Sequence, residues 1–314
     1  MTIKEGVKSS MPEYIISQMH IEAARNSTDD FNLFHDKKHW NKIKGNPFQG
    51  TVALGFQLGC FVEDQVNRSP KNYDQQLNNT ETPQISSKPL NFSQYEFTFA
   101  GSVKPGDSIA LIVRNGRLST ISGVECFSNR IALKANGKTV LLGYKRQTSE
   151  HMIKGISPLP EHSKILNSPD RSFITPKQYF VKRKYMIVGN AKNFLTSSFA
   201  EQSEYIDEFI DKVSFPEMYP LSLLSSALLE RAQAIGQDLI KEPMIYISHN
   251  LSIDKNVLQK LKSNHSLNIL VGPPQKSDDK NSEYVTHVCT CVLPTQEILF
   301  HAEIQLAALS SLLK

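Results

Sequence analysis

Cysteine is scarce in this chain. Cys60, Cys126, Cys289 and Cys291 are the only four in 314 residues, too few for the disulfide framework of a small secreted domain. No run approaches the ~18 consecutive apolar residues of a membrane-spanning helix. The opening MTIKEGVKSSMPEY lacks the apolar stretch that directs export, so a cytoplasmic protein with no membrane span is expected. Charge of one sign is lacking too: 35 Lys and Arg against 31 Asp and Glu leave +4, which gives no argument for a nucleic-acid partner. Neither G-x-x-x-x-G-K-[ST] nor G-x-G-x-x-G occurs, so nucleotide hydrolysis and dinucleotide binding have no support and no cofactor is expected. Cys289, Cys291 and His287 share one face of the strand pattern VTHVCTCVLP. They read as packed side chains, since a metal site needs a fourth ligand that this strand does not supply.

What the chain does have is a polar cluster set against an apolar segment. Between His20 and Val66, Asp30, Asn32 and His35 form D-x-N-x-x-H, and Gly50 then opens the run TVALGFQLGCFVEDQV. A carboxylate, an amide and an imidazole this close together are either turn residues in solvent or a partnered site, because unpaired burial of each costs ~1–3 kcal/mol. The triplet alone leaves both readings open. From Thr51 to Val66 the apolar residues point all round the axis, the mark of a helix buried on every side. Gly55 and Gly59 stand one turn apart, where the lack of a side chain lets another element come close. A titratable loop thus leads to the partly positive end of a buried helix. Lys37, Lys38, Lys42 and Lys44 follow His35, either as a solvated face or as a landing patch for an anionic partner.

The run I-E-A-A-R-N-S-T-D-D-F-N-L-F-H-D resembles the signature of the MaoC-like (R)-specific enoyl-CoA hydratases and 3-hydroxyacyl dehydratases. In that family D-x-N-P-x-H precedes a glycine-ended loop and the central helix of a hotdog fold. Asp30, Asn32 and His35 match by position, and Gly50 matches the glycine. Leu33 stands where the family has proline, and Gln49 where it often has histidine. The resemblance covers roughly residues 13 to 146. It implies that Asp30 and His35 are catalytic, that the Gly50 N–H receives the thioester carbonyl, and that Asn32 and Gln49 belong to the substrate-binding loop.

After the helix, NRSPKNYDQQLNNTETPQISSKPLN (67–91) has the composition of a long surface loop or a disordered insertion. Strand patterns follow around Tyr95 to Phe99 and at SIALIVR, LSTISGVECF, RIALKA and KTVLLGYKR, with Asn136-Gly137 as a hairpin turn. The second half repeats the order. QYFVKRKYMIVGN reads as a strand, with Lys182-Arg183-Lys184 as an exposed basic edge, and LSLLSSALLERAQAIG reads as a second apolar helix. Strands are then expected at MIYISHNLSI, SLNILVG, EYVTHVCTCVLP and EILFHAEIQLAAL. Helix then strands, twice, is an internal repeat of architecture. The expected fold is α+β, a double hotdog of two tandem units, each with a long buried helix wrapped by an antiparallel sheet. Residues 1–150 form the unit carrying the motif, 151–175 a linker, and 176–314 a second hotdog without its own active site.

The second half contains no D-x-N-x-x-H. Two-domain members of the family usually carry the motif in the C-terminal half, so the order here is reversed. Glu230, the one carboxylate in the second apolar helix, reads as a rim residue. The resemblance implies a hydro-lyase acting on trans-2-enoyl or (R)-3-hydroxyacyl thioesters of coenzyme A or acyl carrier protein, and it leaves room for a homodimer of double-hotdog chains. A hotdog thioesterase and a catalytically silent acyl-binding or assembly protein of a lipid or polyketide pathway are the alternatives.

Overall fold

A computed structural model describes residues 14–73, 86–176, 178–276 and 284–312. The first half runs β1 (Tyr14–Ile15), α1 (Gln18–Thr28), α2 (Gly55–Asn67), β2 (Phe92–Phe99), β3 (Ser108–Val113), β4 (Arg117–Ile121), β5 (Val124–Ala135) and β6 (Lys138–Thr148). The second runs β7 (Ser172–Ile174), β8 (Tyr179–Tyr185), α3 (Val188–Ser197), β9 (Ile206–Asp207), β10 (Lys212–Val213), α4 (Met218–Ser222) and α5 (Leu224–Ala234), then β11 (Met244–Asp254), β12 (Ser266–Val271), β13 (Gln275–Lys276), β14 (Tyr284–Val292) and β15 (Ile298–Ala308). Among the described residues no helix is long and apolar enough to cross a membrane.

The two halves share one antiparallel sheet, ordered β1-β3-β5-β6-β2-β11-β15-β14-β12-β8-β7, with β4 beside β5 and β13 beside β14. The join is the pairing of β2 with β11, from Ser248 opposite Thr98 to Asp254 opposite Phe92. The two central helices meet at Gly59, where an added Cβ would stand 3.0 Å from Met218 Sδ at the start of α4. At Gly55 it would stand 2.8 Å from the Phe99 ring. Both glycines therefore serve close approach, as their spacing suggests. Phe56, Leu58, Phe61, Val62 and Val66 of α2 are all buried, and one apolar core runs from them through α3, α4 and α5 to the inner face of the sheet.

Several sequence expectations need correction. The first central helix starts at Gly55, not just after Gly50. Thr51 to Leu54 are held out of it because Val52 N–H bonds Phe34 O (3.0 Å) and Ala53 N–H bonds Val103 O (2.8 Å). LSTISGVECF is not one strand: Ser122 and Gly123 both have positive φ, the geometry of a two-residue hairpin turn, and VECFSNRIALKA continues as β5. Asn136-Gly137 turns β5 into β6 in the same way, as expected. The strand expected through Asn190 ends at Tyr185, and α3 begins at Val188. Its signal was the spacing of Ala191, Phe194 and Leu195, all buried. Lys182 and Lys184 are not an exposed edge. They are buried and paired, Lys182 with Asp170 and Glu230 and Lys184 with Asp29.

The centre of the 67–91 stretch, residues 74–85, lies outside the described residues, as does the DDKNS stretch. Its flanks are anchored: Tyr73 and Leu90 pack on Phe127, and Ser86 and Lys88 bond the Glu125 carboxylate. Between the halves, Ile156 and Ile165 pack with Ile174, Val181 and Leu270, so the connection lies against the second half.

Candidate functional site

The site is built at the end of α1. Ser17 caps that helix by accepting from His20 N–H, while His20 Nδ1 accepts from Ser17 N–H. Asp29 then ends it in the left-handed conformation (φ 54°), and Asp30 N–H turns back to Arg25 O at 3.0 Å. The next turn locks itself through side chains. Asp30 Oδ1 accepts from Asn32 N–H at 2.9 Å, and Asn32 Oδ1 accepts from Phe34 N–H at 3.1 Å, which caps the 3-10 turn Leu33–His35. Asp and Asn serve here because their short side chains reach the backbone two residues on. Leu33 occupies the first position of that turn, and Asn32 before it is extended (φ −62°, ψ 129°). That is the conformation a following proline would impose, so the turn keeps its shape without one.

Asp30 and His35 come together, with residue exposures of 2% and 5%. Their nearest atoms, Asp30 Oδ2 and His35 Nε2, are 3.9 Å apart. His35 Nδ1 lies 2.7 Å from Val52 O. A carbonyl only accepts, so Nδ1 carries the hydrogen; when the ring is neutral, Nε2 is then an acceptor facing Asp30. Asp30 Oδ2 is held from the other side by Ser225 Oγ at 2.6 Å, and Ser225 Oγ lies 2.7 Å from Tyr246 OH. Ser225 belongs to α5 and Tyr246 to β11, so the second half of the chain completes the setting of the motif. No local pattern announced either residue.

The neighbouring Asp36 receives Arg25 (2.9 Å) and His39 (3.0 Å). Burial would raise its pKa. The hydrogen bonds from His39 and the Lys38 N–H, with the Arg25 charge, outweigh that and hold it below the ordinary carboxylate range.

A cavity of about 270 Å³ opens beside His35. Its walls include Asn32, Val52, Gly55 and Leu58, the segment from Phe99 to Val103, and Met244 to Ile247. The α2 N-terminus thus borders it at Gly55, where first-turn N–H groups have no acceptor within the helix. Gln49 and Gly50 are not among its walls. Gln49 is exposed, with a positive φ of 52°. Behind Gly55 lies His249, stacked on Phe56 with ring centroids 4.4 Å apart, and burial pushes its pKa down to about 3.

The second half repeats this local architecture with different side chains. Phe199 takes the left-handed conformation after α3, and Ala200 N–H returns to Leu195 O at 3.0 Å, as Asp30 does to Arg25. That register sets Ala200, Gln202 and Tyr205 where the first half has Asp30, Asn32 and His35. Glu230 is largely buried and bridges Lys182 (3.0 Å) and Arg171 (2.9 Å). Between the central helices, Glu63 accepts from the N–H groups of Glu217 and Met218, 2.8 Å each. Glu217 in turn accepts from Ser93 Oγ at 2.9 Å and Tyr95 OH at 2.5 Å. Burial and the Glu217 charge push Glu63 up to about 8.

Neither a family model nor a curated protein matches the sequence. Solved structures do match in fold. A MaoC-like dehydratase, 10% identical, aligns over 95% of this chain and 96% of its own with a TM-score of 0.58. A conserved Mycobacterium tuberculosis protein with a double hotdog fold is 11% identical over 95% and 94%, at 0.57. A MaoC-like dehydratase from Phytophthora capsici is 11% identical over 99% of both chains, at 0.53. The chain is a double hotdog, and along nearly all of its length it has the fold seen in MaoC-like dehydratases.

Proposed function

We propose that the protein is a hydro-lyase that adds water to trans-2-enoyl thioesters, or removes it from (R)-3-hydroxyacyl thioesters, with Asp30 and His35 as the catalytic pair. The observation that carries this reading is their geometry. Two acceptors 3.9 Å apart, one fixed by Val52 O and the other by Ser225 and Asn32 N–H, can both hold one water placed off the line between them at ~2.8 Å from each. In the hydration direction the pair draws a proton from that water as its oxygen bonds to the β-carbon. The π electrons move toward the thioester carbonyl, and a proton returns to the α-carbon, so one molecule of water is added. Proton transfers of this kind are each worth ~10²–10⁴-fold.

The charge that develops on the thioester oxygen needs a donor. The N-terminus of α2 at Gly55 borders the His35 cavity, and an N–H aimed at such an oxyanion contributes roughly 3–4 kcal/mol. We assign that role to Gly55 in place of Gly50. Asn32 fixes the turn, and Gln49 has no part in the chemistry. Ala200 and Tyr205, in the places of Asp30 and His35, support one active site per chain. Fold likeness to MaoC-like dehydratases agrees with this class of reaction.

The test is a spectrophotometric assay of the pure protein with crotonyl-CoA and a longer enoyl-CoA. Loss of enoyl absorbance without release of free thiol is expected. Thiol release would identify a thioesterase, and no change with either substrate would leave an acyl-binding protein.

A further inference from the structure

A second cleft, of about 540 Å³, lies on the other side of the motif loop. Asn32, Met244 and Tyr246 line both it and the His35 cavity, so the two spaces adjoin at these three residues. The rest is mostly apolar, with Leu228 and Ala232 of α5 facing Val285 and Leu306 of the sheet. Into this space comes Arg231, only 6% exposed. Among the described residues no hydrogen bond or ion pair reaches its guanidinium, and Nε is out of contact with water and without a partner. Nearby buried or half-buried cations are answered: Lys182 and Arg171 by Glu230, Lys184 by Asp29, Arg25 by Asp36. His287 also lines the cleft; its Nδ1 donates to Gly272 O, and an imidazole carries no negative charge to pair with the guanidinium. Glu242, the one carboxylate on the lining, is exposed.

A buried charge without a partner opposes folding, and a planar guanidinium with its donors free matches a carboxylate with two parallel hydrogen bonds. Six positions along α5 separate Arg231 from Ser225, about 9 Å of helix, and Ser225 touches Asp30. Lys42 stands at the loop side of the same cleft and adds positive charge there. An apolar space that adjoins the His35 cavity at Asn32, Met244 and Tyr246 and holds an unanswered arginine suits a chain that is apolar along its length and anionic at its end.

We propose that Arg231 is the anion anchor of this cleft and that the preferred thioester carries a carboxylate at the far end of its acyl group. This rests on the hydro-lyase reading for the substrate, though not for the anchor. A coenzyme A phosphate is the other source of an anion. It fits less well, because phosphates are strongly hydrated and Arg231 sits at an apolar, nearly dry position.

Two measurements decide it. The first needs no turnover: titration calorimetry with hexanoate, hexan-1-ol and free coenzyme A on the wild type, Arg231→Gln and Arg231→Lys. Hexanoate affinity is expected to fall at least ~10-fold in Arg231→Gln and less in Arg231→Lys, with hexanol and coenzyme A unchanged. The second compares turnover of 2-hexenedioyl-CoA with that of 2-hexenoyl-CoA. The wild type should prefer the carboxylated substrate, and Arg231→Gln should lose that preference by ~10-fold or more. Failure of both substrates with the wild type would refute the hydro-lyase reading while the calorimetry still judged the anchor. Equal hexanoate binding by wild type and Arg231→Gln, or a fall in coenzyme A affinity instead, would overturn the proposal. Arg231→Met guards against a purely structural role. It should melt at or above the wild-type temperature, and a lower Tm would mean that the arginine supports the fold.

Discussion

Ser225 Oγ donates a 2.6 Å hydrogen bond to Asp30 Oδ2 across 195 positions of sequence. A hydroxyl from the second central helix thereby orients the carboxylate of a motif in the first half. It also ties that carboxylate to Tyr246, whose own hydroxyl is 2.7 Å from Ser225.

Asp30→Asn and His35→Ala should each lower kcat by at least ~10²-fold with little change in Tm, because each removes one partner of the proposed water. The double variant should be scarcely worse than either single one, since residues that act as a unit are not additive. Steady-state kinetics on the three variants, with melting curves as the control, check this. Near-wild-type turnover in either single variant would remove the pair from the mechanism.

Ser225→Ala should act through Asp30 without abolishing turnover. Losing a charge-assisted hydrogen bond costs ~1.5–3 kcal/mol and frees the carboxylate to turn, so kcat should fall roughly 10-fold with KM little changed. Ser225→Thr, which keeps the hydroxyl, should recover most of that loss, whereas a merely packing role would not distinguish the two.

Stability should fall as pH rises through neutrality, because of Glu63. Its pKa is about 8 when folded against 4.5 as its ordinary value, so the folded chain holds the proton more tightly. The contribution is therefore complete below about 4.5 and is lost as pH climbs through 8. Tm should drop by ~2–4 °C between pH 6 and pH 8. Glu217→Gln, which removes the like charge, should flatten that slope; an unchanged slope would exclude the carboxylate pair as its origin.

Gly55→Ala places a methyl group 2.8 Å from Phe99 Cζ and 3.1 Å from His249 Cε1. Overpacking of this kind costs ~1–3 kcal/mol, and it also pushes the α2 N-terminus away from the cavity. Both Tm and kcat should fall, whereas Gly50→Ala, which meets nothing within 4 Å, should change neither by much. Equal effects of the two substitutions would argue against Gly55 as the donor to the thioester oxygen.

What the sequence made legible was whatever short-range chemistry governs. Asp30, Asn32 and His35 are recognisable because their side chains bond backbone groups two residues away, and Asn136-Gly137 because both residues take positive φ. The central helices announced themselves by apolar residues on all sides, and Gly55 and Gly59 by their spacing. Residues whose meaning depends on a distant partner were not legible. Ser225, Tyr246 and Arg231 sit in ordinary helix and strand patterns until the fold brings them to the motif loop. Lys182 and Lys184 read as exposed because alternation gives the two faces of a strand without saying which one is covered. The start of α2 was misplaced for the same reason: Val103 O and Phe34 O, which hold Ala53 and Val52 extended, are not visible from the local run.

The pairing of β2 with β11 also sets how the site responds to dilution. When two hotdog units are separate chains, any pocket on their seam exists only to the extent that the chains associate, and the complete site follows mass action. Here the strand that closes the edge of the first unit is carried on the same polypeptide, so its effective concentration is fixed by covalent connection. The contact of Ser225 with Asp30 therefore persists however little protein is present. Specific activity measured over a thousandfold dilution should trace a flat line, with no loss attributable to parting of the two halves.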